Sequence, residues 1–144
     1  MFLPHKILEE KLRKMLTEDL GQGDITTTLI VPAESIVEAG VIAKESGAVA
    51  GIEEAKILLE SLGLKVEALV EDGEKIKVGQ VLLKIFGDTR TILSVERTLL
   101  NIISHMSGIA TMTRKIIEKI EKAGFKTKVA VSYTHLTLPT NREV

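Results

Sequence analysis

Ile7, Leu8, Leu12, Met15 and Leu16 recur at helical spacing, with Glu9, Glu10, Lys11, Arg13 and Lys14 between them. The spacing predicts an amphipathic helix beginning near Pro4, a residue tolerated in a first turn. Continuation is costly at Asp19-Leu20-Gly21-Gln22-Gly23-Asp24, where two glycines end the pattern. Ile25-Thr26-Thr27-Thr28-Leu29-Ile30 is rich in β-branched residues and is predicted to be extended. Between Ser35 and Lys44, Ile36, Val37, Val41 and Ile42 suggest a strand, which breaks at a Gly47 turn and resumes at Ala48-Val49. Ala55, Leu58, Leu59 and Leu62 fall on one helical face of residues Ile52–Leu62, and Gly63 supplies the stop. Leu64, Val66, Ala68 and Val70 then alternate as a strand does. Turn chemistry follows at Glu71-Asp72-Gly73-Glu74 and again at Lys77-Val78-Gly79-Gln80, and Val81–Phe86 forms a further strand.

After Gly87 the period changes from two to about 3.6. Ile92, Leu93, Val95, Leu99, Leu100, Ile102 and Ile103 predict a long helix. A break is expected at Ser107-Gly108, a second helix from Ile109 to about Lys122, and a stop at Gly124. Phe125–Ala130 reads as the start of another strand. The chain up to Phe86 is therefore an α+β unit, and the remainder opens an α/β one.

Composition narrows the class. Hydrophobic residues make up 44% of the 144 residues and charged ones 27%, the balance of an ordinary globular protein. A net charge of −1 gives no electrostatic reason to expect nucleic acid or an acidic membrane as partner. With no cysteine, disulfides and thiolate metal sites are excluded. Charges interrupt the amino-terminal segment from Lys6 onward, and no apolar run approaches the ~20 residues of a membrane helix. The expected location is the cytoplasm.

Three segments, in order, carry a family pattern. Glu18-Asp19-Leu20-Gly21-Gln22-Gly23-Asp24-Ile25-Thr26-Thr27 fits EDxGxGDxT. Ala43-Lys44-Glu45-Ser46-Gly47-Ala48-Val49-Ala50-Gly51 is followed by a DGxxVxxGxxL-like stretch over Asp72–Leu82. Ile92-Leu93-Ser94-Val95-Glu96-Arg97-Thr98-Leu99-Leu100-Asn101 runs on to Ser107-Gly108-Ile109-Ala110-Thr111-Met112-Thr113. In this order and at these separations the chain resembles the quinolinate phosphoribosyltransferases from residue 7 to about 130. The resemblance implies an amino-terminal α/β sandwich (hammerhead-like) domain over residues 1–106, including a long connecting helix. It further implies the first helices and strand of a truncated α/β barrel over 107–130. The implied activity makes nicotinate mononucleotide, pyrophosphate and carbon dioxide from quinolinate and phosphoribosyl pyrophosphate, with Mg²⁺, in a homodimer. The ligands for Mg²⁺ are expected to lie outside this chain.

Arg97 is the leading candidate for chemistry. Quinolinate carries two carboxylates, and a guanidinium offers a planar fork that matches such a group bidentately. By spacing alone, a helical arginine is more often solvated or paired, here with Glu96 or a nearby acid. The resemblance implies instead that Arg97 binds quinolinate in the neighbouring subunit's pocket. Asn101 and His105 follow at four-residue intervals on the same helical face. Asn101 could orient Arg97, although a buried amide satisfied by local hydrogen bonds is the commoner outcome. His105 reads as structural, since no second histidine or acid stands at metal-ligand spacing. Ser107-Gly108-Ile109-Ala110-Thr111 could offer free amides to a phosphate at a helix start, but close packing is the favoured role. Gly21-Gln22-Gly23-Asp24 lacks the preceding strand and third glycine of a dinucleotide fingerprint. Asp24 is expected to bond local backbone, and Glu53-Glu54 to form a solvated face near a helix start.

Three other readings compete, one of them a bare interaction domain that uses this sandwich without chemistry. A paralogue associated with molybdenum transport shares the fold, and the ERTLLN and SGIAT segments favour the transferase over it. Residues 64–86 also have the strand-turn-strand look of a biotinyl or lipoyl carrier, but Lys65 and Lys75 lack a carrier's lysine setting.

Residues 131–144 do not continue the pattern. Family members carry an Asp-Thr-Arg-Lys segment where Val131-Ser132-Tyr133-Thr134 stand. GTC TCT TAT ACA CAT CTG ACG CTG CCG ACG translates as the residues from Val131 to Thr140, and that DNA resembles a transposase-type sequencing adapter. The tail is thus expected to be non-native read-through, and the chain by itself inactive, with apolar helix faces uncovered. Fresh amplification from the source should show a different sequence after Ala130; the same codons in genomic DNA would refute the expectation.

Overall fold

The computed structural model describes residues 4–21, 29–131 and 142–143. Helix α1 (His5–Leu20) begins at Pro4 and buries Leu8, Leu12 and Leu16 on one side, as the spacing predicts. Ile7, expected on that face, is exposed. Leu29 and Ile30 are helical rather than extended; residues 22–28, including Asp24, lie outside the described residues.

Three antiparallel strands form the sheet: β1 (Ile36–Ile42), β3 (Lys65–Ala68) and, between them, β5 (Val81–Asp88). Val41 opposes Leu83 and Ala39 opposes Ile85, so the period-two pattern sends Leu83, Ile85 and Val41 into the core. Glu38, Lys84 and Phe86 share the exposed face. A second ribbon pairs β2 (Gly47–Ala48) with β4 (Lys75–Ile76), so the glycine expected to make a turn instead opens a short strand.

Helix α2 (Ile52–Ser61) buries Ala55, Leu58 and Leu59. Its first amide, on Ile52, donates to Asp72 Oδ1 at 2.8 Å, so the DG turn caps a helix from across the fold. Gly63, at φ 81°, closes the other end: its amide reaches Glu60 O and the Leu64 amide reaches Leu59 O. Glu54 is only 7% exposed, so the Glu53-Glu54 pair is not a solvated face throughout. Helix period separates the two residues: Glu53 faces water and Glu54 the interior.

The main departure from expectation is helix α3, which runs unbroken from Thr89 to Lys122, 34 residues. Ser107 and Gly108 lie inside it. It ends at Gly124, where the Phe125 amide bonds Ile120 O and the Gly124 amide bonds Glu121 O. Ile92, Val95, Leu99, Ile102 and Ile103 point into the core that α1, α2 and the sheet share. Phe125–Val129 is irregular, not a strand. Only Ala130–Val131 (β6) pairs, with Arg142–Glu143 (β7), and the rest of the expected read-through tail lies outside the described residues.

The start of α3 is tied down on three sides. The Arg90 guanidinium donates twice to Val31 O, at 2.9 and 2.7 Å, and the Thr89 hydroxyl donates to Ser35 O at 2.8 Å. Asp88 is the cap, accepting from the Thr91 amide and hydroxyl, both at 2.8 Å. Those two Thr91 bonds, aided by the Arg90 charge against a small desolvation effect, hold the Asp88 carboxyl below its ordinary 3.8. A depressed folded-state value means the cap stabilises above the ordinary carboxylate range and is lost as pH falls through the folded value. The melting-temperature gap between the unaltered chain and Asp88→Ala should be full at neutral pH and close below pH 3.8. A gap independent of pH would show that the charged cap contributes nothing.

Candidate functional site

The exposed flank of α3's first half, facing the end of α1, forms a recess of about 610 Å³. Asp19 and Leu20 line one side; Leu93, Ser94, Glu96, Arg97, Leu100 and Asn101 line the other. Leu93 and Leu100, two of the apolar residues whose spacing predicts the long helix, are each 40% exposed. They sit at i and i+7, with Arg97 at i+4 and Asn101 at i+8, so one helix face presents two apolar contacts, a cation and an amide. That combination suits a small ligand that has both carboxylate and hydrocarbon surface.

Arg97 is exposed, and among the described residues no hydrogen bond or ion pair engages its guanidinium. Glu96 does not pair with it, so of the two outcomes that spacing alone favours, solvated or paired, the structure shows the solvated one. Asn101 is also exposed, so the buried reading of its amide does not hold. Arg97 and Asn101 share the recess. His105 is exposed one turn farther on and does not line it. Among the described residues no three acidic or histidine side chains converge as a metal site would require.

The Ser107-to-Thr111 segment has a structural task. Its amides are committed within α3, so it offers no helix start to a phosphate. The two hydroxyls instead clasp the chain edge at β2. The Ala50 amide donates to Ser107 Oγ at 3.0 Å, and that hydroxyl donates to Ala50 O at 3.2 Å. One turn on, the Ala48 amide donates to Thr111 Oγ1 at 2.9 Å, and Thr111 Oγ1 donates to Ala48 O at 3.3 Å. Gly47 allows the approach, because a Cβ there would collide with the Thr111 side chain. Gly51, at φ 91°, lets the chain turn beside Met106 Sδ, 3.1 Å from where a Cβ would lie. Arg114 adds a bond to Gly73 O at 3.0 Å. Lys75 pairs with Glu118 at 3.4 Å and Lys65 lies within β3, so neither lysine stands at a carrier-type hairpin tip.

Sequence reasoning passed over Thr98, which is buried and donates to Asp19 at 2.5 Å. Its place within ERT was the available signal, masked by the arginine beside it.

The architecture has counterparts among solved structures. The nicotinate-nucleotide pyrophosphorylase of Francisella tularensis superposes with a TM-score of 0.75 at 30% identity, over 83% of this chain and 44% of that one. A probable carboxylating nicotinate-nucleotide pyrophosphorylase of Methanocaldococcus jannaschii is 45% identical over 129 residues, 89% of this chain and 44% of the relative. The carboxylating enzyme of Mycobacterium leprae is 38% identical over 90% of this chain and 46% of its own. Residues 24–107 match the family described as quinolinate phosphoribosyl transferase, N-terminal domain. The chain belongs to that family, and it spans about half the length of the curated relatives it matches.

Replacing Thr111 by valine removes both bonds to Ala48 without changing shape. It should cost about 1–3 kcal/mol, the penalty for a partly buried amide left unpaired. Ser94→Ala removes only a same-helix bond to Arg90 O and should cost under about 0.5 kcal/mol. Equal urea midpoints for the two variants would contradict the clasp.

Proposed function

We propose that a protein carrying this chain as its amino-terminal domain transfers the phosphoribosyl group of phosphoribosyl pyrophosphate to quinolinate. The products are nicotinate mononucleotide, pyrophosphate and carbon dioxide, and the setting is cytoplasmic NAD biosynthesis. The observation that carries this reading is Arg97, an exposed cation that no described residue engages, set between apolar Leu93 and Leu100 and beside Asn101. In a homodimer its fork would reach a carboxylate of quinolinate held by the partner subunit. Asn101 would support it, and His105 would stand at the edge of the same stripe. Membership of the family supports the substrate class, as do the names of the relatives. Residues 1–106 form the domain that contributes the arginine, 107–130 begin the catalytic barrel, and 131–144 are foreign to both. Mg²⁺ would enter with phosphoribosyl pyrophosphate, on ligands outside this chain. No helix among the described residues is long and apolar enough to cross a membrane.

The test is steady-state kinetics on the full-length protein. Arg97→Ala should raise KM for quinolinate roughly 10- to 100-fold, as the loss of a charge-assisted hydrogen bond of about 1.5–3 kcal/mol requires. Arg97→Lys keeps the charge but not the fork and should fall between. Unchanged capture of quinolinate by Arg97→Ala would overturn the reading.

A further inference from the structure

Thr98 adjoins Arg97 on α3, but it is only 1% exposed where Arg97 is open to solvent. Hydroxyls inside helices commonly turn back to the carbonyl four residues earlier. Ser94 and Thr113 do so here, bonding Arg90 O and Ile109 O at 2.8 Å each. The hydroxyl of Thr98 instead crosses to another helix and donates to Asp19 Oδ2 at 2.5 Å. Asp19 is itself awkwardly placed. It sits in the last turn of α1, where the helix dipole disfavours a carboxylate, and no basic residue of that turn offsets it. The bond therefore holds a carboxylate in an unfavourable position, using a hydroxyl that has given up its own helix partner. Asp19 and Leu20 are one wall of the recess; Arg97 and Asn101 are on the other.

We propose that Thr98 is a positioning residue, whose bond to Asp19 sets the separation of the two walls and so the approach from which Arg97 meets a carboxylate. The proposal rests on the quinolinate-binding reading of Arg97. A charge-assisted bond across two helices fixes direction as well as distance. Arg13 ties α1 to Ser61 O farther back along the helix, so among the described residues the Thr98–Asp19 bond is the polar tie nearest the end of α1.

In the full-length protein, Thr98→Val should raise KM for quinolinate about tenfold and leave kcat within about twofold, because binding geometry changes and chemistry does not. Thr98→Ser, which keeps the hydroxyl, should restore KM to within about twofold of the unaltered protein. Asp19→Ala should reproduce the valine effect, and the double variant should be no worse than either single one. Asp19 is exposed, so that arm stands even if Thr98→Val fails to fold. An unchanged KM in Asp19→Ala, or effects that add in the double variant, would overturn the proposal while Arg97→Ala still weakens quinolinate capture. If Arg97→Ala has no effect, the reading beneath the proposal fails and the proposal with it.

Discussion

Two hydroxyls one helical turn apart, on Ser107 and Thr111, exchange paired hydrogen bonds with the backbone of Ala50 and Ala48. They act as a surrogate strand, satisfying peptide groups that the short β2–β4 ribbon leaves open on that side. The clasp fixes α3 in rotation and in translation, because two contact points a turn apart permit neither. A helix held in this way must present the same face to solvent along its first half. The recess with Arg97 and Asn101 sits on the face opposite the buried row from Ile92 to Ile103, and the clasp keeps the helix from rotating that face away. Gly108, which costs about 1 kcal/mol relative to alanine in a helix interior, is tolerated because the helix is secured on either side of it.

The motifs that mark the family are thus largely fold determinants. Asp72 caps α2, and the Gly73 amide bonds Val49 O at 2.8 Å. Gly79 turns at φ 83° and bonds Ala43 O, also at 2.8 Å. Gly47 and Gly51 make room for α3. The ERTLLN stretch divides its labour: Arg97 and Asn101 face the recess while Thr98 and Leu99 face inward. Two of the motif segments meet in space at the bond between Asp19 and Thr98, which ties the end of α1 to the helix that carries the arginine.

Much of this order was legible from periodicity. The helical rows Leu8-Leu12-Leu16 and Ala55-Leu58-Leu59 and the period-two run into β5 report burial directly. Three things were not. Ser107-Gly108 has the chemistry of a helix cap, and only a partner 57 residues away in sequence shows that its hydroxyl serves another segment. Leu93 and Leu100 share the helical period with the core, so spacing cannot separate a core row from an apolar recess wall. Glu53 and Glu54 look alike in sequence, but a rotation of about 100° per residue sends one out and the other in. The arginine's place was suggested by resemblance, since spacing alone favours a solvated or paired side chain.

The central physical claim is that one rigid helix carries both the clasp and the recess face. The chain has no cysteine, so nitroxide labels can be placed singly at Glu96→Cys and Lys115→Cys, both exposed on α3. Nineteen residues of continuous helix separate the two backbones by roughly 28 Å at 1.5 Å per residue. Pulsed electron paramagnetic resonance should give a single narrow distance distribution consistent with that span. A broad distribution, or a markedly shorter distance from a bend at Ser107-Gly108, would contradict it.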